Sequence, residues 1–212
     1  MAGIKAINIS KNFGQYRVFS DVTVEFTKGE IHGIIGRNGS GKTVLLKVIS
    51  GFIPPDKGKV LYDNIEIYKG VDFPLKTGVI IESPGFLPNV SGFRNLQLLA
   101  AINNECGHED IENSMNAVGL DYDSKKSVSK YSLGMKQRLG IAQAIMGNPD
   151  YIILDEPFNG LDSTGVMDMR YLLMELRDKG KTIVLASHNT EDIKILCNTI
   201  SKIENATLTR LE

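Results

Sequence analysis

The chain has 212 residues, 42% apolar and 23% charged, with Lys+Arg 24 against Asp+Glu 25. That length suits one good-sized domain with its own core, and that composition is ordinary for a soluble globular protein. A net charge of −1 excludes a global pull toward nucleic acid or anionic lipid; no apolar run is long enough to cross a bilayer, and the start "MAGIKAINIS" lacks the apolar core of a signal peptide.

Cys106 and Cys197 sit in no metal-ligand spacing and read as free thiols of a reducing compartment. The expected location is therefore cytoplasmic.

In chain order, the first third reads as β. "AINIS" is followed by "VTVEF", where Val22, Val24 and Phe26 alternate, and then, past the turn "TKGE", by "IHGII". A helix is expected from Lys42, with Val44, Leu45, Val48 and Ile49 as its apolar stripe and "PPDKG" at 54–58 as its stop. "KVLYDNIEI" predicts a hairpin turning at Asp63–Asn64, and "TGVII" at 77–81 a short buried strand. From Ser91 to about Gly147 the periodicity turns helical: "FRNLQLLAAI", "EDIENSMNAV" closed by Gly119, and "SLGMKQRLGIAQAIM" closed by Gly147 and Pro149. Strand and helix then alternate: "YIIL", a helix from about Ser163 burying Val166, Met169, Leu172, Leu173 and Leu176, "TIVLAS", "TEDIKILC", and a closing hairpin in "TISKIENATLTRLE". Near-continuous apolar strands separated by helices imply a parallel sheet covered on both faces.

"GRNGSGKT", Gly36 to Thr43, fits G-x-x-x-x-G-K-[ST] between an apolar strand and a helix. Gly36, Asn38, Gly39, Ser40 and Gly41 would let backbone N–H groups converge on phosphate oxygens, helped by the positive end of the helix. Lys42 would reach the β- and γ-phosphates of ATP, and Thr43 would put its hydroxyl on Mg²⁺. "YIILDEPFNGLD" sets Asp155 and Glu156 directly after a buried strand. In a P-loop protein an acidic residue there completes the metal site, which suits Asp155. Glu156, one residue on, suits a general base that polarises water for attack on the γ-phosphate.

Three further stretches make the sequence resemble the ATP-binding cassette (ABC) ATPases over essentially its whole length. "YSLGMKQRLGIAQA" is similar to the family signature L-S-G-G-Q. "NGLD" matches the loop after the metal-binding strand, and Ser187–His188 matches the switch histidine after "TIVLA". The resemblance implies an α/β fold: a P-loop core with a mixed, mainly parallel sheet, an N-terminal antiparallel β subdomain and an inserted α-helical subdomain. The implied division of the single domain 1–212 is 1–82 and 148–212 for the core and 83–147 for the helical insertion.

It also implies two chains paired head to tail around two ATPs. In each site Ser132, Gly134 and Gln137 of one chain would face the phosphate loop of the other. His188 would contact the γ-phosphate, Asp162 would couple the sites, and Phe13 would stand against adenine. The signature keeps Ser132, Gly134, Gln137 and Arg138 but has Tyr131, Leu133 and Met135 at other usual positions. Where most of the family has Gln, this chain has Glu82, expected to join the Mg²⁺ shell and the catalytic group. That glutamate makes the sequence look most like the ATPase subunits of bacitracin-resistance and lantibiotic-immunity exporters. Many relatives there carry an added C-terminal domain, for which a chain ending at Glu212 leaves no room.

The expected function is an ATPase that powers a separate membrane permease, docked against the segment from Glu82 to about Leu99. Its expected location is the inner face of the cell membrane, reached through the permease, with no nucleic-acid partner. The alternative is a non-transport ABC ATPase, a regulatory or ribosome- or nucleic-acid-associated switch. One cassette and a short helical segment argue against ribosomal or DNA work. Lys42, Asp155, Glu156 and His188 argue against a sensor without turnover. The absence of an N-K-x-D motif argues against a GTPase.

Overall fold

Side-chain alternation along the central strands decides the layout. The computed structural model describes residues 3–69, 74, 76–82, 85–103 and 106–211. A six-stranded sheet runs in the order β10 (Thr207–Arg210), β9 (Thr199–Glu204), β3 (Ile31–Ile35), β8 (Thr182–Ser187), β7 (Tyr151–Asp155), β6 (Thr77–Ile80), parallel except for β10. Ile152 and Leu154 enter one apolar cluster, while Tyr151 and Ile153 enter the cluster on the opposite face. Ile183 and Leu185 separate from Val184 and Ala186 in the same way. Both faces are buried, so these strands read as continuous apolar runs in the sequence.

One face is covered by helix α1 (Lys42–Ile49) and, beyond it, a four-stranded antiparallel sheet ordered β2 (Tyr16–Thr27), β1 (Gly3–Phe13), β4 (Lys57–Tyr62), β5 (Ile65–Glu66). Leu45, Leu46 and Ile49 of α1 fill the space with Ile4, Phe19, Phe26 and Val60. The other face carries α4 (Leu133–Ile145), α5 (Ser163–Asp178) and α6 (Thr190–Leu196), with α2 (Gly92–Asn103) and α3 (His108–Ala117) in the same apolar cluster. Among the described residues no helix is long and apolar enough to cross a membrane.

Two expectations need correction. β1 and β2 run well beyond "AINIS" and "VTVEF", because Phe13 pairs with Tyr16 across a two-residue Gly14–Gln15 loop in which Gly14 takes φ 59°. Their outer halves carry charged residues, so alternation alone missed them. Helix α1 stops at Ile49, before the prolines: Ser50 donates its N–H to Leu46 O, and Gly51 turns left-handed at φ 87°. The turn at Asp63–Asn64 is as expected, with φ 46° and 71°, the pattern of a primed hairpin turn. Ser83 and Pro84, within the expected docking segment, and the chain's terminal residues Met1, Ala2 and Glu212 lie outside the described residues.

Polar ties fix the helices around the sheet. Arg138 on α4 donates to Val118 O (2.7 Å) and to Asp168 on α5 (2.8 Å). Arg170 on α5 pairs with Asp192 on α6, whose carboxylate is buried. The backbone of α4 lies so close to β6 that a methyl group at Gly78 would overlap the Ala144 carbonyl. Gly78→Ala is therefore expected to cost roughly 3 kcal/mol. The melting temperature should fall by roughly 6–12 °C, measured by thermal unfolding, with β6 displaced from α4.

Candidate active site

The end of β3 feeds the loop Gly36–Gly41 and then α1. Gly39 and Gly41 take φ 77° and 104°, a region that other side chains rarely adopt. A Cβ at Gly36 would crowd the Ser40 hydroxyl, 2.5 Å away, so the first loop position needs glycine as well. Gly41 caps α1 without a side-chain bond, and the first turn holds no acidic residue. The first N–H groups of the helix are thus left for an anion, with the positive helix end behind them. Lys42 is 6% exposed and turns inward, donating to Gly36 O (2.8 Å) and Arg37 O (3.3 Å).

β7 brings its carboxylates to the same place. Thr43 donates its hydroxyl to Asp155 Oδ2 at 2.6 Å, while Asp155 Oδ1 is buried with no hydrogen-bond partner. Burial raises the Asp155 carboxyl above its ordinary range; the Thr43 bond opposes this, and the negative charge of Glu156 adds to it. The orphaned oxygen and the Thr43 hydroxyl form a hard-oxygen pair of the kind that suits a small divalent cation. Glu156 has φ 49° and donates its N–H to Ala186 O at 2.8 Å, which turns its side chain toward the loop. Its Oε1 lies 3.6 Å from Lys42 Nζ and its Oε2 2.8 Å from His188 Nδ1. Lys42, Thr43, Asp155, Glu156 and His188 therefore form one connected cluster.

Phe13, Tyr16, Val18 and Arg37 join Lys42, Thr43, Asp155 and Glu156 around a cleft of about 370 Å³. Phe13 is 54% exposed, with Lys11 Nζ 5.7 Å from its ring centroid. Sequence reasoning named Phe13 but missed Tyr16, its cross-strand partner. The short Gly14–Gln15 loop was the signal for it.

The other expected residues stand apart. Ser132 caps α4, accepting from Met135 N at 3.1 Å, and neither it nor Gly134 lines the cleft. Gln137 donates to Pro157 O (2.9 Å) and Glu156 O (3.3 Å), which holds the backbone just past β7. Asp162 caps α5, accepting from Gly165 N at 2.9 Å. Glu82 has φ 64° and gives its carboxylate to Lys47 at 2.7 Å rather than to the cleft.

A phosphate loop between strand and helix, facing a carboxylate at the end of a parallel strand one position removed in the sheet, defines a P-loop nucleoside triphosphatase. The chain belongs to the ABC transporter family, whose model matches residues 19–159, and it is an ABC ATPase. It is 41% identical over 195 residues to the ABC transporter ATP-binding protein YybJ of Bacillus subtilis (strain 168), covering 92% of this chain and 89% of that one. It is 39% identical to the bacitracin transport ATP-binding protein BcrA of Enterococcus faecalis, over 93% of this chain but 65% of the relative. The lantibiotic transport ATP-binding protein SrtF of Streptococcus pyogenes is 32% identical, covering 94% of this chain and 86% of that protein. In fold, the chain matches the dimeric cassette MJ0796 with TM-score 0.87 at 23% identity, over 99% of both chains. It matches the ADP form of MJ1267 with TM-score 0.83 at 24% identity, over 99% of this chain and 90% of that one.

The raised Asp155 carboxyl gives a sign to the stability of the nucleotide-free chain. The folded state holds this proton more tightly than the unfolded state does. The resulting penalty is absent below the ordinary carboxylate range and grows as pH rises through the elevated value. Asp155→Asn should therefore stabilise the nucleotide-free chain at neutral pH by roughly 1 kcal/mol. A ligand at one hundred times its Kd stabilises by about 2.7 kcal/mol in all, and the variant should gain less than wild type from MgATP. Thermal melts with and without MgATP measure both effects.

Proposed function

We propose that this ATPase energises a separate integral-membrane permease at the inner face of the cell membrane, exporting a peptide antibiotic or similar amphiphilic cargo. The observation that carries the enzymatic part is the Thr43–Asp155 pair, with one buried Asp155 oxygen unpartnered, beside Glu156 held between Lys42 and His188. The names of BcrA and SrtF support the cargo class. The division into core (1–82 and 148–212) and helical insertion (83–147) belongs to this reading, as does docking of the permease beside 82–99. The near-neutral charge suits a chain without a nucleic-acid partner.

In this reading the N–H groups of Gly36–Thr43 cradle the phosphates of ATP, and Lys42 exchanges its carbonyl partners for β- and γ-phosphate oxygens. Phe13 stacks on adenine. Thr43, Asp155 and, in the closed state, Glu82 would hold Mg²⁺, which would supply positive charge against the phosphate oxygens. Glu156 takes the proton of the attacking water. His188 holds the Glu156 carboxylate in place and contacts the γ-phosphate. Ser132 and Gly134 stand away from this chain's own cleft, so they, with Gln137 on the same helix, serve the ATP of a second chain in a head-to-tail dimer. Asp162 links the two sites. The dimeric state of MJ0796 supports this arrangement.

Glu156→Gln keeps the side chain's shape and removes its basicity. It should bind MgATP normally and lose about 10²–10⁴-fold in turnover. It should also accumulate as an ATP-held dimer, seen as an ATP-dependent mass increase in light scattering. Wild-type turnover at saturating ATP would contradict the base assignment. A mass unchanged by ATP would contradict the paired sites.

A further inference from the structure

The pair Lys47–Glu82 stands one helical turn from the metal-site hydroxyl. Lys47 follows Thr43 by four residues on α1, so the two side chains share a helix face. Thr43 holds Asp155, and Lys47 holds Glu82. Glu82 occupies a left-handed backbone conformation at φ 64°, immediately after Ile81 at the end of β6. Its side chain is 63% exposed, and Lys47 is its charged partner at 2.7 Å.

The two acids are thus bonded to side chains one turn apart on the same helix, Asp155 to Thr43 and Glu82 to Lys47. A carboxylate at this position thus has two states to choose between. Without nucleotide it adds a third negative charge beside Asp155 and Glu156 unless a cation draws it aside. With a divalent cation in the cleft it has a stronger attractor. A neutral glutamine would need no such escort, and its amide could not form an ion pair with Lys47.

We propose that Lys47 is a positioning residue: it parks the Glu82 carboxylate away from Asp155 in the nucleotide-free chain and releases it to the metal–nucleotide site when MgATP binds. This rests on the reading that Glu82 serves the metal site. The lysine therefore competes with the metal for one carboxylate. An exposed ion pair contributes modestly, so the competition should be worth about two- to five-fold in metal affinity.

The test is a titration of Mg²⁺ against binding of a fluorescent ATP analogue, which reads affinity without turnover. It uses the full chain and the variants Lys47→Met, Lys47→Arg, Glu82→Gln and Lys47→Met/Glu82→Gln. Lys47→Met keeps the aliphatic stem and should lower the half-saturating Mg²⁺ concentration about two- to five-fold. Lys47→Arg, which keeps the pair, should titrate like wild type. Glu82→Gln should raise the half-saturating concentration, and Lys47→Met should then add no further change. Binding of the analogue in EDTA reports whether each variant is folded, and it should be alike in all four. If Glu82→Gln leaves the titration unchanged, the metal reading of Glu82 is wrong. If Glu82→Gln shifts it but Lys47→Met does not, or shifts it equally in both backgrounds, the parking role is overturned while the metal reading stands.

Discussion

The hydrogen bond from Thr43 to Asp155 is the contact on which the site depends. It joins the first turn of α1 to the end of β7, two elements far apart in sequence. A carboxylate buried at a strand end is costly, and its second oxygen has no partner. The fold tolerates this because its two apolar clusters, one on each face of the sheet, fix β7 between β8 and β6. The destabilised group is thereby held ready for a cation. A ligand that compensates the buried carboxylate removes a penalty present without it, so binding and folding draw on the same interaction.

Glu156 shows how the neighbouring carboxylate is kept different. Its left-handed backbone breaks the strand one residue after Asp155, and its N–H goes to Ala186 on β8. Asp155 therefore points to Thr43 while Glu156 points to Lys42 and His188. Two adjacent acids take separate positions through a single backbone turn. Gln137 reaches the same turn from α4 and bonds to the carbonyls of Glu156 and Pro157. The helix that begins with Ser132 and Gly134 thus touches the peptide that aims Glu156.

Much of this was legible in the sequence, for reasons that are themselves physical. "GRNGSGKT" and "YIILDEP" are local patterns in which the residue types are forced by backbone wrapping and by burial, so Lys42, Thr43, Asp155 and Glu156 could be named without coordinates. Helices α2, α3 and α4 announced themselves by apolar period, and Gly119 closes α3 through the bonds Gly119 N to Asn116 O and Leu120 N to Met115 O. What stayed hidden were pairings between elements. Tyr16 joins the cleft only because a two-residue loop sets it opposite Phe13. Lys47 meets Glu82 only because the end of β6 brings that residue beside α1. The outer halves of β1 and β2 were missed because charged residues such as Lys11 and Arg17 interrupt the alternation.

Those inter-element pairings also carry the coupling between site and surface. Arg138 clasps α3's carboxyl end and Asp168 of α5, while Arg170 binds the buried Asp192 at the start of α6, directly after His188 and Asn189. A shift of α6 relative to α5 would break a buried ion pair, which is far more costly than breaking an exposed one. The His188 side of the cleft is therefore stiff. On the opposite side, Glu82 pairs with Lys47 at 2.7 Å with its side chain 63% exposed. An exposed pair has less free energy opposing its rearrangement than a buried one, so of the two contacts the Lys47–Glu82 pair is the easier to exchange.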